Sequence, residues 1–274
     1  MISPHFVTSF PDFIMNEWIM QHELAIRLSC FFGILGLMAI WEILIPCRLL
    51  TASKTVRWIN NLGIVFLNSF LLRLLFPIAA IGLATMAEQQ QWGILNNLDL
   101  PMWLAVLISI VILDGVIYIQ HVVFHMLPLL WRLHRMHHAD VDIDVTTGSR
   151  FHPIEIILSF LIKLTVIMAL GPPAVAVLLF EVILNGMAMF NHSNIALPAK
   201  LDQGLRWLFV TPDMHRVHHS VLPEETDRNF GFNLSIWDRL FGTYQAQPKE
   251  GHQGMQIGLS YFREAKFLTL HWLL

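Results

Sequence analysis

The chain has 274 residues, 55% of them hydrophobic and only 14% charged, and its mean hydropathy of +0.57 excludes an ordinary water-soluble domain and indicates a membrane protein. A formal net charge of −3, with no dense Lys/Arg block, excludes a nucleic-acid-binding face, because a phosphate backbone demands a basic surface. Cys30 and Cys47 have no metal-site spacing and read as packing residues. The opening "MISPHFVTSFPDF" has no basic start followed by an apolar core, so no secretory leader is expected.

Stretches of roughly 20 apolar residues are needed to cross the hydrocarbon core. In chain order they fall at 28–46, 62–84 and 102–120. A fourth apolar region, 154–190, is too long for one helix and is interrupted by Gly171, Pro172 and Pro173, which predicts a tight helical hairpin. The connection 47–61 carries Arg48, Lys54 and Arg57, whereas 85–101 carries no Lys or Arg, so the positive-inside bias puts the former in the cytoplasm. The third span then runs inward, and the hairpin returns the chain to the same face. The expected fold is an all-α integral membrane bundle of about three full spans plus a helical hairpin, with a cytoplasmic histidine-rich helical cap holding a dinuclear metal site. Three units follow: membrane spans in 1–100, a catalytic unit in 101–245, and a tail, 246–274, whose end "YFREAKFLTLHWLL" suits an interfacial helix.

Ten of the 14 histidines lie between residues 121 and 219. They occur as "HVVFH" (His121, His125), "HRMHH" (His134, His137, His138), "FHP" (His152), "NHS" (His192) and "HRVHH" (His215, His218, His219). On a helix, residues three or four apart share a face. In H-x-x-H-H the first histidine therefore shares a face with both later ones, while the adjacent pair diverges by about 100° and can address two neighbouring metal ions. The three spaced motifs supply eight imidazoles, too many for one tetrahedral zinc and suited to two metals with open positions. Imidazole suits iron, zinc, copper and nickel alike, so spacing does not choose the element.

The order "HVVFH", "HRMHH", "HRVHH" within apolar spans resembles the fatty acid hydroxylase and sterol desaturase superfamily of integral-membrane di-iron oxygenases. "TTGSRFHPIE" at 146–155 and "TDRNFGFNLSIWDRLFGTY" at 226–244 resemble its linking segments, especially those of bacterial members, so the likeness covers about residues 100–245. The resemblance implies two histidine-bound irons at the cytoplasmic face of a bacterial inner membrane, with zinc as a substitute in isolated protein. It also implies O2 as co-substrate, a lipid drawn from the bilayer that is hydroxylated or desaturated at a C–H bond, and a separate electron-donor protein.

Carried over residue by residue, the resemblance implies His121, His125, His134, His137, His138, His215, His218 and His219 as metal ligands. His192 is the next candidate, although relatives often place a second histidine four positions earlier, where this chain has Ala188. Asn191 could offer a weak or water-mediated contact, and His152 is a further metal or substrate candidate. Asp114 lies on the helical face of His121 and His125; an intramembrane carboxylate is costly, and ligating imidazoles usually give their second N–H to such a group, so Asp114 is expected to orient a ligand. Asp140, Asp142 and Asp144 read mainly as a solvated acidic loop.

Two other classes compete. A zinc-dependent membrane hydrolase would also use histidines, but no H-E-x-x-H occurs. A metal transporter or carrier would place ligating or charged residues through the depth of several spans, whereas the histidines gather at one face.

Overall fold

The computed structural model describes residues 17–274; the first sixteen residues of the expected N-terminal unit lie outside the described residues. Seven helices build the body: α1 (Glu23–Leu44), α2 (Lys54–Leu75), α3 (Ala80–Gln89), α4 (Met102–Met126), α5 (Pro128–His138), α6 (Pro153–Leu170) and α7 (Ala174–Asn191). Short helices follow, among them α8 (Ala199–Leu205) and α9 (Pro212–His218), and the described residues contain only isolated bridges in place of strands. Five segments are long and apolar enough to cross a membrane: α1, the α2–α3 pair, α4, α6 and α7. The chain is thus a multi-pass membrane protein.

Both helices of the hairpin are long and apolar enough to be spans in their own right. At 18 residues each, α6 and α7 are about 27 Å long. Their turn holds Gly171 at φ +66°, and beside it the Ile94 N–H donates to Ala169 O, so the tip reaches the loop between α3 and α4. A side chain at Gly171 would meet the Trp92 carbonyl oxygen at 2.4 Å, so this turn requires glycine twice over.

The second span departs from the expected 62–84. Its helix starts at Lys54, where Ser53 accepts a hydrogen bond from the Val56 N–H, and stops at Leu75 because Pro77 cannot continue a helical ladder. Hydropathy passes over the first two turns because they hold Arg57 and Asn61, both fully buried. Arg57 donates to Asp140 at 2.7 and 2.8 Å and to Asp144 at 2.5 Å. The acidic loop is therefore not solvated: Asp140 and Asp144 are fully buried, and Asp142 accepts from the Thr51 and Ala52 N–H groups at 2.8 Å. Burial raises the Asp140 carboxyl, but Arg57 and Arg150 outweigh that and hold it at about 2.

These contacts place the α1–α2 connection, the segment after α5 and the chain beyond α7 at one end of the bundle. Cys47 N–H donates to Asn194 O at 2.9 Å, and Glu42 near the end of α1 accepts from the Val145 and Asn194 N–H groups. The tail does not form one interfacial helix. It holds a 3-10 turn (Ala265–Leu268) and a single helical turn (Leu270–Leu273) docked on α2 and α5, where Leu273 packs with Ile64 and Met136.

Candidate metal centre

The site begins at a bend. α4 runs to Met126, past the apolar limit expected at 120, and so carries His121 and His125 on its last turns. Pro128 keeps Leu127 out of the helical region (ψ 118°) and starts α5, which folds His134, His137 and His138 back over the end of α4. His192 caps the C-terminus of α7. α9 starts at Pro212, with the Thr211 hydroxyl accepting from the Met214 N–H, and presents His215, His218 and the following His219 from the other side.

Nine of the ten candidate histidines converge in two groups. His121, His125, His134, His138 and His218 form the first, and His137, His192, His215 and His219 the second, with ligand atoms within 4.8 Å of one another in each. Both H-x-x-H-H motifs are split alike. The i, i+4 pair stays together (His134 with His138, His215 with His219), and the i+3 histidine crosses to the other group (His137, His218). Adjacent histidines thus face different groups, and each motif contributes to both.

Hydrogen bonds fix which ring nitrogens face inward. Nδ1 of His121, His137, His192 and His218 lies 2.8, 3.2, 2.8 and 2.8 Å from the carbonyl oxygens of Phe230, Arg150, Ala188 and Arg228. His134 Nδ1 lies 2.7 Å from Glu155 Oε1, and His125 Nδ1 3.2 Å from Asp227 Oδ1. Carbonyl oxygens only accept, so those Nδ1 atoms carry the proton and their Nε2 lone pairs point inward. Burial, with the neighbouring imidazoles adding to it, pulls His137, His138, His215 and His219 well below the usual histidine range. It brings His192 and His218 to about 3, so these rings are neutral.

The consequence is electrostatic. His121 Nε2 stands 3.1 Å from His134 Nε2, and His137 Nε2 3.1 Å from His192 Nε2, each with its proton on the far nitrogen. Two lone pairs so close repel unless a cation lies between them. Nε2 of His125 and His218, Nδ1 of His215 and both ring nitrogens of His138 and His219 are buried with no hydrogen-bond partner. Buried polar nitrogens are rarely orphaned, and neutral imidazoles aimed at one point are what transition metals take. The donor set fits two metal ions.

Three candidates lie elsewhere. His152 joins neither group; it caps α6, its Nδ1 accepting from the Ile154 N–H at 3.1 Å. Asp114 hydrogen-bonds no histidine among the described residues. Its oxygens accept from Trp237 Nε1 at 2.8 Å and from the Asn233 and Leu234 N–H groups, pinning the segment that follows Phe230 to α4. Asn191 Nδ2 donates to Phe232 O at 2.8 Å, and its Oδ1 has no partner. Both residues thus hold 230–237, which supplies the carbonyl for His121. The carboxylate that meets a histidine on the inner side is instead Glu155, in the first turn of a mostly apolar helix; an acid among apolar residues next to "FHP" was the available signal. Gly148 is a further requirement, since a Cβ there would stand 2.3 Å from the Ala188 carbonyl oxygen that His192 needs.

A cavity adjoins the centre. A pocket of about 120 Å³ touches His121, His134 and His137 between Phe124, Phe151 and Phe232. It shares Ile117, Phe151, Ile156, Ser159, Leu184 and Phe232 with an adjoining larger cavity of about 400 Å³ set between the spans. A separate pocket of about 270 Å³ reaches His125 from the cap side, beside Trp131, Asp227 and Tyr261.

The fatty acid hydroxylase family model matches residues 106–243, from the third span through the second H-x-x-H-H motif to the end of the linking segment. Among curated proteins, the ornithine lipid hydroxylase OlsE of Rhizobium tropici is 31% identical over 150 residues, covering 54% of this chain and 44% of the relative. The alkylglycerol monooxygenase of Xenopus tropicalis is 27% identical over 158 residues (57% of this chain, 34% of the relative). The fatty acid hydroxylase vlmA of a Lecanicillium species is 28% identical over 171 residues (57% and 46%). The chain thus spans less than half the length of these relatives. No solved structure matches.

Proposed function

Because the chain belongs to the fatty acid hydroxylase family, we propose that it is a membrane-bound di-iron oxygenase that hydroxylates a lipid carbon with O2. The observation that carries this reading is the pair of histidine groups, with unprotonated nitrogens facing one another, beside a largely apolar pocket set between the spans. The named relatives that act on ornithine lipid, alkylglycerol and fatty acid support a lipid substrate.

The reaction class breaks a C–H bond and forms C–OH, with the second oxygen atom leaving as water. Two electrons come from a separate donor protein and two protons from solvent. Two iron ions held by His121, His125, His134, His138 and His218 and by His137, His192, His215 and His219 would supply the oxidising power when bound. The remaining work belongs to the chain. Glu155 and the carbonyls of Phe230, Arg150, Ala188 and Arg228 hold the Nδ1 protons, which keeps Nε2 directed inward. Phe124, Phe151 and Phe232 exclude water where the lipid carbon meets the histidines. The pocket beside Asp227 gives the first group an aqueous side, which suits proton supply. The basic α1–α2 connection packs on this end, which fits a cytoplasmic catalytic face in a bacterial inner membrane.

Lipid mass spectrometry of cells with and without the gene, paired with metal analysis of the purified protein, tests the reading. The expected result is a lipid heavier by one oxygen and about two irons per chain. Protein without iron, together with an unchanged lipid profile, would overturn it; a loss of two hydrogens would replace hydroxylation by desaturation.

A further inference from the structure

The larger cavity ends in charge. Arg27 of α1 and Lys163 of α6 both pair with Glu181 of α7, the arginine at 2.5 Å, and all three side chains line the cavity. Charged residues therefore do occur at depth within the spans, away from the face where the histidines gather. Two cations share one carboxylate, so one positive charge is left over between apolar spans, on side chains that are 28% (Arg27) and 17% (Lys163) exposed. Glu23, one turn before Arg27, faces a different depression beside Pro77 and Ile81. Arg27 makes one hydrogen bond, to Glu181, among the described residues, which leaves most of its five donors without a protein acceptor. Ionisable groups within spans are expensive and are functional by default.

We infer that this triad receives the anionic head, carboxylate or phosphate, of a single-chain amphiphile whose hydrocarbon tail runs up the cavity to the histidine centre. The cavity is graded to match, with Arg27, Lys163 and Asn185 at one end and Phe124, Phe151 and Phe232 at the other. Eight residues of α6 separate Lys163 from Glu155, about 12 Å along the helix. An in-chain carbon, well away from the head, is therefore the one brought to the metals. The assignment rests on the lipid-oxygenase reading only for this last step; the head-group site stands or falls by binding.

Binding is measured with a spin-labelled stearic acid and its methyl ester on the full chain in phosphatidylcholine nanodiscs at pH 8. The acid should bind about tenfold more tightly than the ester, the worth of one charge-assisted hydrogen-bonded contact. Lys163→Met should bring the ratio towards one. Glu181→Gln should raise it above wild type by releasing both cations, whereas a triad that merely clamps α1 to α6 and α7 would loosen in both variants. Palmitate or a single-chain phosphate lipid should displace the probe and inorganic phosphate should not. A wild-type ratio near one, a ratio lowered by Glu181→Gln, displacement by phosphate alone, or displacement by neither lipid would overturn the assignment. The assay needs no metal and no turnover, so missing iron would count against the oxygenase and not against the head-group site.

Discussion

The two histidine groups use the same motif in different surroundings. The first gathers five imidazoles and has an open flank, where His125 leans on Asp227, whose side chain is 64% exposed, beside the cap-side pocket. The second gathers four; His192, His215 and His219 are fully buried and His137 is 1% exposed. The first thus has more donors and meets the cap-side pocket through His125, and the second has fewer donors and meets only the apolar pocket, through His137. Ligand number and enclosure are traded against each other, so the two metals should differ in how they are lost.

Removing ligands should break the pair most severely. His218→Ala and His219→Ala alter neighbouring residues but opposite groups, and each should drop metal content from about two ions to about one while abolishing turnover. The loss should exceed the roughly 10–100-fold typical of outer partners. Deleting one of five should be milder than deleting one of four, so His192→Ala should lose metal at lower chelator concentration than His125→Ala. Equal sensitivity in a chelator titration read by elemental analysis would remove the asymmetry.

Outer partners come next. Glu155→Gln should weaken metal retention in the first group by roughly 10–100-fold, because the amide orients His134 without its charge. Gly148→Ala should act on the second group by pushing the Ala188 carbonyl off His192. Asp227→Asn should cost less than tenfold, because an exposed carboxylate is screened by solvent. Spectroscopy that can assign the residual metal to one position separates the three.

Acidity should act on stability and not on the number of ions held. His192 and His218 have folded-state values of about 3, far below the roughly 6.5 of an unfolded histidine. Below about pH 6.5 the unfolded chain takes up protons that the folded chain refuses, so the metal-free protein should lose stability as pH falls towards 3. Asp140, held at about 2, should add its own loss below about pH 4. A bound metal should oppose the histidine part, so melting of stripped and loaded protein in detergent should diverge between pH 7 and 5. Parallel curves would show that the histidines do not face a metal.

The residue order alone determined the membrane class, the hairpin and the clustering of the motif histidines, because apolar length, Gly-Pro-Pro and H-x-x-H-H are local signals. It misplaced the start of α2 and took the aspartate loop to be solvated, because hydropathy scores a charged residue by type and cannot see that Arg57 meets Asp140 and Asp144 across 83 and 87 positions. It also ranked Asp114 and His152 beside the histidines on shared faces and proximity in sequence. A helical face says where a side chain points and not what it meets, and folding gave Asp114 to Trp237 and His152 to the start of its own helix. Which histidine joins which group, that Glu155 serves His134, and that Arg27, Lys163 and Glu181 meet at the far end of the cavity were decided by packing alone. Those contacts join residues remote in sequence, and only the close approach of α1, α6, α7 and the cap brings them within bonding distance.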